Sequence, residues 1–266
     1  MPRPPTAASA RPAPAAWAAL TGELDAWAAA GRRATFWWRD DDAVEPGPAL
    51  DRLLALSAKH AAPLALAVIP AGSGAALSER LCGEPPQVSV LQHGWAHRSH
   101  APATEKKQEL GGHRPVAAVL DELDTGRGRL ETLFGSRFRP VLVPPWNRIA
   151  PAIALRIGEA GLAGLSTFGP RSAGADATLN THVDIVDWRG SRGFVGAAAC
   201  LTAARRHLAD RRAGRVDADE PTGLLTHHLD HDEACWDFVD AFLTATRAHP
   251  GAVWPAPEAL FAGAGR

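Results

Sequence analysis

The segment Thr35-Phe36-Trp37-Trp38 runs straight into Arg39-Asp40-Asp41-Asp42. An apolar, β-prone run bounded by Gly31 behind and Pro46-Gly47-Pro48 ahead reads as a buried strand. Three carboxylates at the end of such a strand are costly, because like charges a few ångströms apart raise one another's pKa. A cation has to offset them, either a metal or an arginine such as Arg39. An isolated acid run is more often a solvated turn or a helix cap. Here, however, the ends of later strands carry histidine-rich and Pro/Trp-rich segments.

Those later elements alternate along the chain. Trp17, Leu20, Leu24 and Trp27 recur at helical spacing, and residues 48–60, 75–82, 116–134, 151–161, 196–213 and 232–248 also read as helices. Between them, 64–69, 88–91, 138–143, 163–168, 182–188, 223–226 and 252–254 read as strands. Residues 1–15 are Pro/Ala-rich and are expected to form a disordered tail, leaving 16–266 as one domain. Strand–helix alternation implies a parallel sheet covered on both faces, with working residues at the C-terminal strand ends.

Composition narrows the partners. The 266 residues carry a formal net charge of −1, which gives no global attraction to nucleic acid or an anionic membrane. No stretch reaches the roughly 18 apolar residues of a membrane span. Three scattered cysteines and no apolar leader segment fit a cytoplasmic protein. HExxH, Walker, GxGxxG and GxSxG patterns are absent.

His93 and His97 stand four residues apart directly after a predicted buried strand. Two imidazoles at that spacing can grip one divalent cation together with a carboxylate, leaving positions open for water. The segments Asp41-Asp42, His93-Gly94-Trp95-Ala96-His97, Pro144-Pro145-Trp146, Asp184-Ile185-Val186-Asp187-Trp188 and Leu224-Leu225-Thr226-His227 follow in order. Together they resemble the polysaccharide deacetylase family, the NodB-homology carbohydrate esterases.

The resemblance implies a distorted (β/α) barrel of about seven parallel strands. It also implies metal-dependent removal of an acetyl group from an N-acetylated sugar or oligosaccharide. By position, Asp42, His93 and His97 would hold the metal, most readily Zn²⁺, with Co²⁺ or Ni²⁺ as alternatives. Asp41 would be the general base and His227 the general acid. The backbone N–H of Trp146 would stabilise the oxyanion, while Trp188 and Leu225 would wall the acyl pocket. Asp187 and Arg139 would orient the base.

The departures leave choices open. Asp40 competes with Asp41 for the base, and His228 with His227 for the acid. Val143 occupies the position of the family arginine, whose part falls to Arg139, Arg148 or Arg39. Gly94 replaces a hydroxyl residue. A non-acetyl amide substrate, as for a deformylase or ring amidase, and a non-catalytic carbohydrate-binding module are the alternative readings.

Overall fold

The computed structural model describes residues 14–172 and 174–261. Seven strands lie in the order β5-β4-β3-β2-β1-β7-β6, and every ladder between them is parallel. They are β1 (Ala34–Ala43), β2 (Leu64–Val68), β3 (Val88–His93), β4 (Phe138–Val143), β5 (Gly164–Leu165), β6 (Val183–Asp184) and β7 (Thr222–Thr226). An eighth, β8 (Ala252–Val253), pairs with Ala34 and Thr35 at the start of β1. Isolated bridges, Leu165 to Thr178 and Phe168 to Thr181, link β5 to the segment that leads into β6. The sheet therefore curls into a distorted (β/α) barrel, a single domain.

Helices cover the outside: α1 (Pro14–Ala29), α2 (Pro48–His60), α3 (Ala75–Cys82), α4 (Val116–Phe134), α5 (Pro151–Ala154), α6 (Ala197–Arg212), α7 (Glu233–Ala248) and α8 (Pro257–Leu260). Among the described residues, no helix is long and apolar enough to cross a membrane. Residues 1–13 of the expected tail lie outside the described residues, and α1 already begins at Pro14. The helix expected over 151–161 breaks into α5 and a 3₁₀ turn over Ile157–Ala160. Leu155, between them, is exposed, so this stretch has no continuous apolar face. The strand expected over 182–188 shortens to β6, because Asp187 turns the chain by accepting the N–H groups of Gly190 and Ser191.

Strand alternation divides the core in two. Phe36 and Trp38 face the helices, beside Leu66, Val183, Leu224 and Phe242. Trp37 faces the barrel interior with Ala65, Ala67, Leu91, Val141 and Val143, and its indole N–H donates to the Asn180 carbonyl at 2.8 Å. Small residues on β2 make the room that this indole fills. Truncating Trp37→Ala should destabilise the fold by about 3–5 kcal/mol, read by urea denaturation.

A buried polar group sits at the N-terminal end of the strands. His182 and His207 stack at 3.4 Å between ring centroids, and their Nε2 atoms lie 3.4 and 3.9 Å from Glu220 Oε2. Burial and the neighbouring His182 and Arg211 push His207 down to about 2, and burial lowers His182 as well. Both rings are held neutral in the folded state, whereas they titrate near 6.5 when unfolded. Stability from them is complete above pH 6.5 and is lost as pH falls below it. From pH 7 to pH 5 the His207 ring should remove about 2 kcal/mol. Guanidinium melts at the two pH values should show the loss, and His207→Gln should flatten it.

Candidate active site

The alternation that divides the core also sorts the three carboxylates. Trp37, Arg39 and Asp41 point into the barrel, whereas Asp40 points out toward the helices. Asp40 accepts the Thr226 hydroxyl at 2.6 Å and the His228 N–H at 3.0 Å, and it pairs with the His228 ring. Burial would raise its pKa, but His228 and its hydrogen bonds hold it below the usual carboxylate range. Asp40 and His228 thus satisfy each other outside the barrel. Asp41 and His227 are the members that face the cleft.

Asp42 escapes the alternation through a bulge. β1 and β2 pair Asp40 with Leu66 and Ala43 with Val68, so β1 carries one extra residue there. Asp42 takes it up with φ 73°, in the left-handed region, which tips its carboxylate toward the mouth of the barrel. His97 (φ 53°), Trp146 (φ 56°) and Asn147 (φ 54°) share this unusual backbone. Left-handed non-glycine residues gathered around one cleft mark a functional site.

The bulge brings Asp42 Oδ1 to 3.1 Å from His93 Nε2 and 3.3 Å from His97 Nε2. Burial would raise the Asp42 pKa, but the His93 hydrogen bond and the charges of His93, His97 and His227 hold it well below the usual range. His93 Nδ1 lies 2.9 Å from the Val143 carbonyl, which can only accept. The Nδ1 proton is thereby fixed, so Nε2, which donates to Asp42 in this structure, is the nitrogen whose lone pair a metal would take. Two imidazoles and one carboxylate are therefore a fitting donor set for a divalent cation.

The buried trio of His182, His207 and Glu220 has similar spacing but fails the same test. His182 Nδ1 accepts the Gly223 N–H at 3.1 Å, so the proton of the neutral ring sits on Nε2 and points at Glu220. That nitrogen offers a metal no lone pair. Glu220 also accepts the N–H groups of Arg171 and Asn180, which makes it a structural anchor.

Asp41 is clamped by Arg39 through two hydrogen bonds, Nε to Oδ1 at 2.8 Å and Nη2 to Oδ2 at 3.0 Å. The guanidinium is wholly buried and also donates to Ser166 Oγ, the Ser166 and Thr167 carbonyls and Asn147 Oδ1. Arg39, and not Arg139, is the arginine that holds Asp41. Arg139 sits at the start of β4, the wrong end of the strand, and pairs with Glu258 at 3.0 Å. Asp187 pairs with no arginine among the described residues; it caps the turn that ends at Ser191.

His227 follows β7, its Nε2 lying 3.9 Å from Asp41 Oδ2 and its ring edge-on to Trp188 at 4.6 Å. Trp146 packs against His97 at 4.4 Å between centroids. A cleft of about 740 Å³ opens over these groups, lined by Asp41, Asp42, His93, His97, Trp146 and Trp188, with His227 and Asp184 beside them. Leu225 is buried on β7 in register with Arg39; it lies beneath the cleft and does not line it.

Two residues of the site had no part in the sequence reading: Asp184 reads there as a strand-end charge, and Glu109 as loop. Asp184, in register with Leu225 on β6, faces inward and accepts the Trp188 indole N–H at 2.8 Å and the Val186 N–H at 3.0 Å. Burial raises its pKa. Its inward register two residues before His227 is the signal that identifies it. Glu109, deep in a loop of polar sequence, accepts the N–H groups of Trp95, Ala96 and Arg98 and so shapes the turn that carries His97. Gly94 (φ 56°) is required there, because a Cβ would strike the Glu109 carboxylate and Pro145. No local pattern announces Glu109.

No family model matches the chain, and no curated protein does. Solved structures do. The family 4 carbohydrate esterase from Streptomyces lividans, in complex with acetate, is 14% identical with a TM-score of 0.53, over 82% of this chain and 90% of that one. A polysaccharide deacetylase from Bacillus cereus is 17% identical with a TM-score of 0.52, over 84% and 92%. A peptidoglycan deacetylase from Bacillus subtilis is 16% identical with a TM-score of 0.52, over 87% and 91%. At these identities the likeness is one of fold, and the chain has the polysaccharide deacetylase fold over most of its length.

Proposed function

We propose that the protein is a metal-dependent hydrolase that removes an N-acyl group, acetyl in the first instance, from an amino sugar. One observation carries this reading. Two imidazole nitrogens and a carboxylate converge beside a second carboxylate held by a buried arginine, with a further histidine facing it across the cleft. A decayed binding module has no use for that set.

Amide hydrolysis needs an activated water, a stabilised oxyanion and a proton for a poor leaving group. A divalent metal held by Asp42, His93 and His97 would supply Lewis acidity and lower the pKa of water. Asp41 takes the proton from the attacking water, and the fork of Arg39 fixes which way its carboxylate faces. His227 protonates the departing amine through Nε2, the nitrogen turned toward Asp41. The N–H of Trp146, in its left-handed turn, stabilises the oxyanion. The half-exposed Phe168 and Trp188 offer flat apolar faces for a sugar ring. A reducing compartment goes with this reading, supported by the exposed free thiol of Cys82.

Elemental analysis should find close to one divalent ion per chain after incubation with Zn²⁺, Co²⁺ or Ni²⁺. Asp42→Ala and His97→Ala should each abolish it, and His207→Gln should leave it in place. A parent protein that takes up no metal would overturn the mechanism.

With acetylated sugars as substrate, Asp41→Asn and His227→Ala should each lower kcat by about 10²–10⁴-fold while metal content is kept. Arg39→Lys loses the two-pronged clamp and should also lower kcat, with KM little changed. Acetate release and metal content measured on the same samples separate these outcomes from loss of the ion.

A further inference from the structure

Four cations, Lys107, Arg148, Arg189 and Arg192, line the cleft of a protein whose overall charge is −1. They stand on two facing walls. Lys107 lies over the Trp146 ring at 5.9 Å, and Arg148 Nη1 donates to the Lys107 carbonyl at 2.8 Å, which ties the two together. On the other wall Arg192 lies over the Trp188 ring at 5.0 Å, with Arg189 three residues before it.

The acids of the same cleft are already answered. Asp41 pairs with Arg39, Asp230 with Arg192 at 3.2 Å, and Asp42 with two imidazoles. Asp184 accepts the Trp188 and Val186 N–H groups. Lys107, Arg148 and Arg189 have no carboxylate within 4.0 Å among the described residues. Three uncompensated cations around one concave mouth focus a positive field on whatever enters it. Neutral glycans gain nothing from that field, whereas a phosphate or carboxylate does, and guanidinium forks suit such oxygens.

Building on the deacylase reading, we infer that the substrate is an N-acylated amino sugar that carries an anionic group, received by Arg148, Arg189 and Lys107 on the rim. The aromatic faces hold the ring, the pair of catalytic groups meets the amide, and the rim cations meet the charge. These cations therefore act as specificity residues, remote from the bond that breaks.

Isothermal titration calorimetry of the metal-loaded protein with N-acetylglucosamine 1-phosphate, N-acetylmuramic acid and the neutral N-acetylglucosamine tests the rim directly. Acetate release from the same three sugars is followed in parallel. At low salt the phosphate sugar should bind at least about tenfold more tightly than the neutral one, and 0.5 M NaCl should erase most of that advantage. In Arg148→Gln and Arg189→Gln the advantage should shrink severalfold. N-acetylmuramic acid matching the phosphate sugar would support a general anion subsite, and its matching the neutral sugar would narrow the subsite to phosphate.

Two outcomes separate this inference from the reading beneath it. Acetate release from the neutral and charged sugars with equal kcat/KM, and equal affinities, would overturn the anion subsite and leave the deacylase standing. Salt-sensitive, arginine-dependent binding of the phosphate sugar with no acetate released from any of the three would support the subsite and count against deacetylation.

Discussion

The bidentate pair of Arg39 and Asp41 is the interaction on which the site depends. Both side chains are withdrawn from water at the centre of the barrel mouth, and removing either would leave an uncompensated buried charge. The guanidinium does more than neutralise Asp41. Its remaining N–H groups reach Ser166 and Thr167 after β5 and Asn147 after β4, so one side chain on β1 ties together the ends of three strands. A carboxylate held this way cannot rotate to suit a ligand. It is oriented in advance, as the general base proposed above requires. The same bonds hold the left-handed turn at Trp146 and Asn147 in place.

Hydrogen-bond direction discriminates between two clusters that ligand spacing alone treats alike. His93 gives its Nδ1 proton to a carbonyl and turns Nε2, the nitrogen a metal would bind, toward Asp42. His182 takes a backbone proton on Nδ1 and turns its own proton toward Glu220. The first arrangement suits the cation proposed above, and the second turns an N–H rather than a lone pair toward a buried carboxylate. Their positions agree with their chemistry. One lies at the C-terminal strand ends, where parallel barrels do their work, and the other at the N-terminal ends, where barrels are sealed.

Much of this was legible in the sequence, because it rests on local patterns. The long strands and the helices flanking them follow from apolar runs and their punctuation, and α4 spans the residues its periodicity predicts. The histidine pair and the acid run identified the metal-ligand candidates. What stayed hidden depends on pairing. The ambiguity among Asp40, Asp41 and Asp42 could not be resolved without the bulge, since a bulge is a relation between two strands. Glu109 acts across a loop on residues more than ten positions earlier, so spacing carries no trace of it. Arg139 misled because it is close to Pro144 in sequence, yet β4 carries it to the far end of the barrel.

The exchange of arginines has a geometric explanation. An arginine just before Pro144 would approach Asp41 from β4, across the barrel, whereas Arg39 approaches from two residues back on the same strand. Residues i and i+2 of a strand share a face, so Arg39 needs no partner strand to reach its carboxylate. Val143 can then be apolar and join Leu91 and Val141 in the barrel interior, while its carbonyl still fixes the His93 tautomer. Moving the arginine to β1 therefore changes where the clamp comes from and leaves what it clamps unaltered. The cost is that β1 must carry four charges in a row, and it tolerates them because alternation and the bulge send them to three destinations. Arg39 and Asp41 meet each other at the base of the cleft, Asp40 meets His228 behind the sheet, and Asp42 meets His93 and His97 at the mouth.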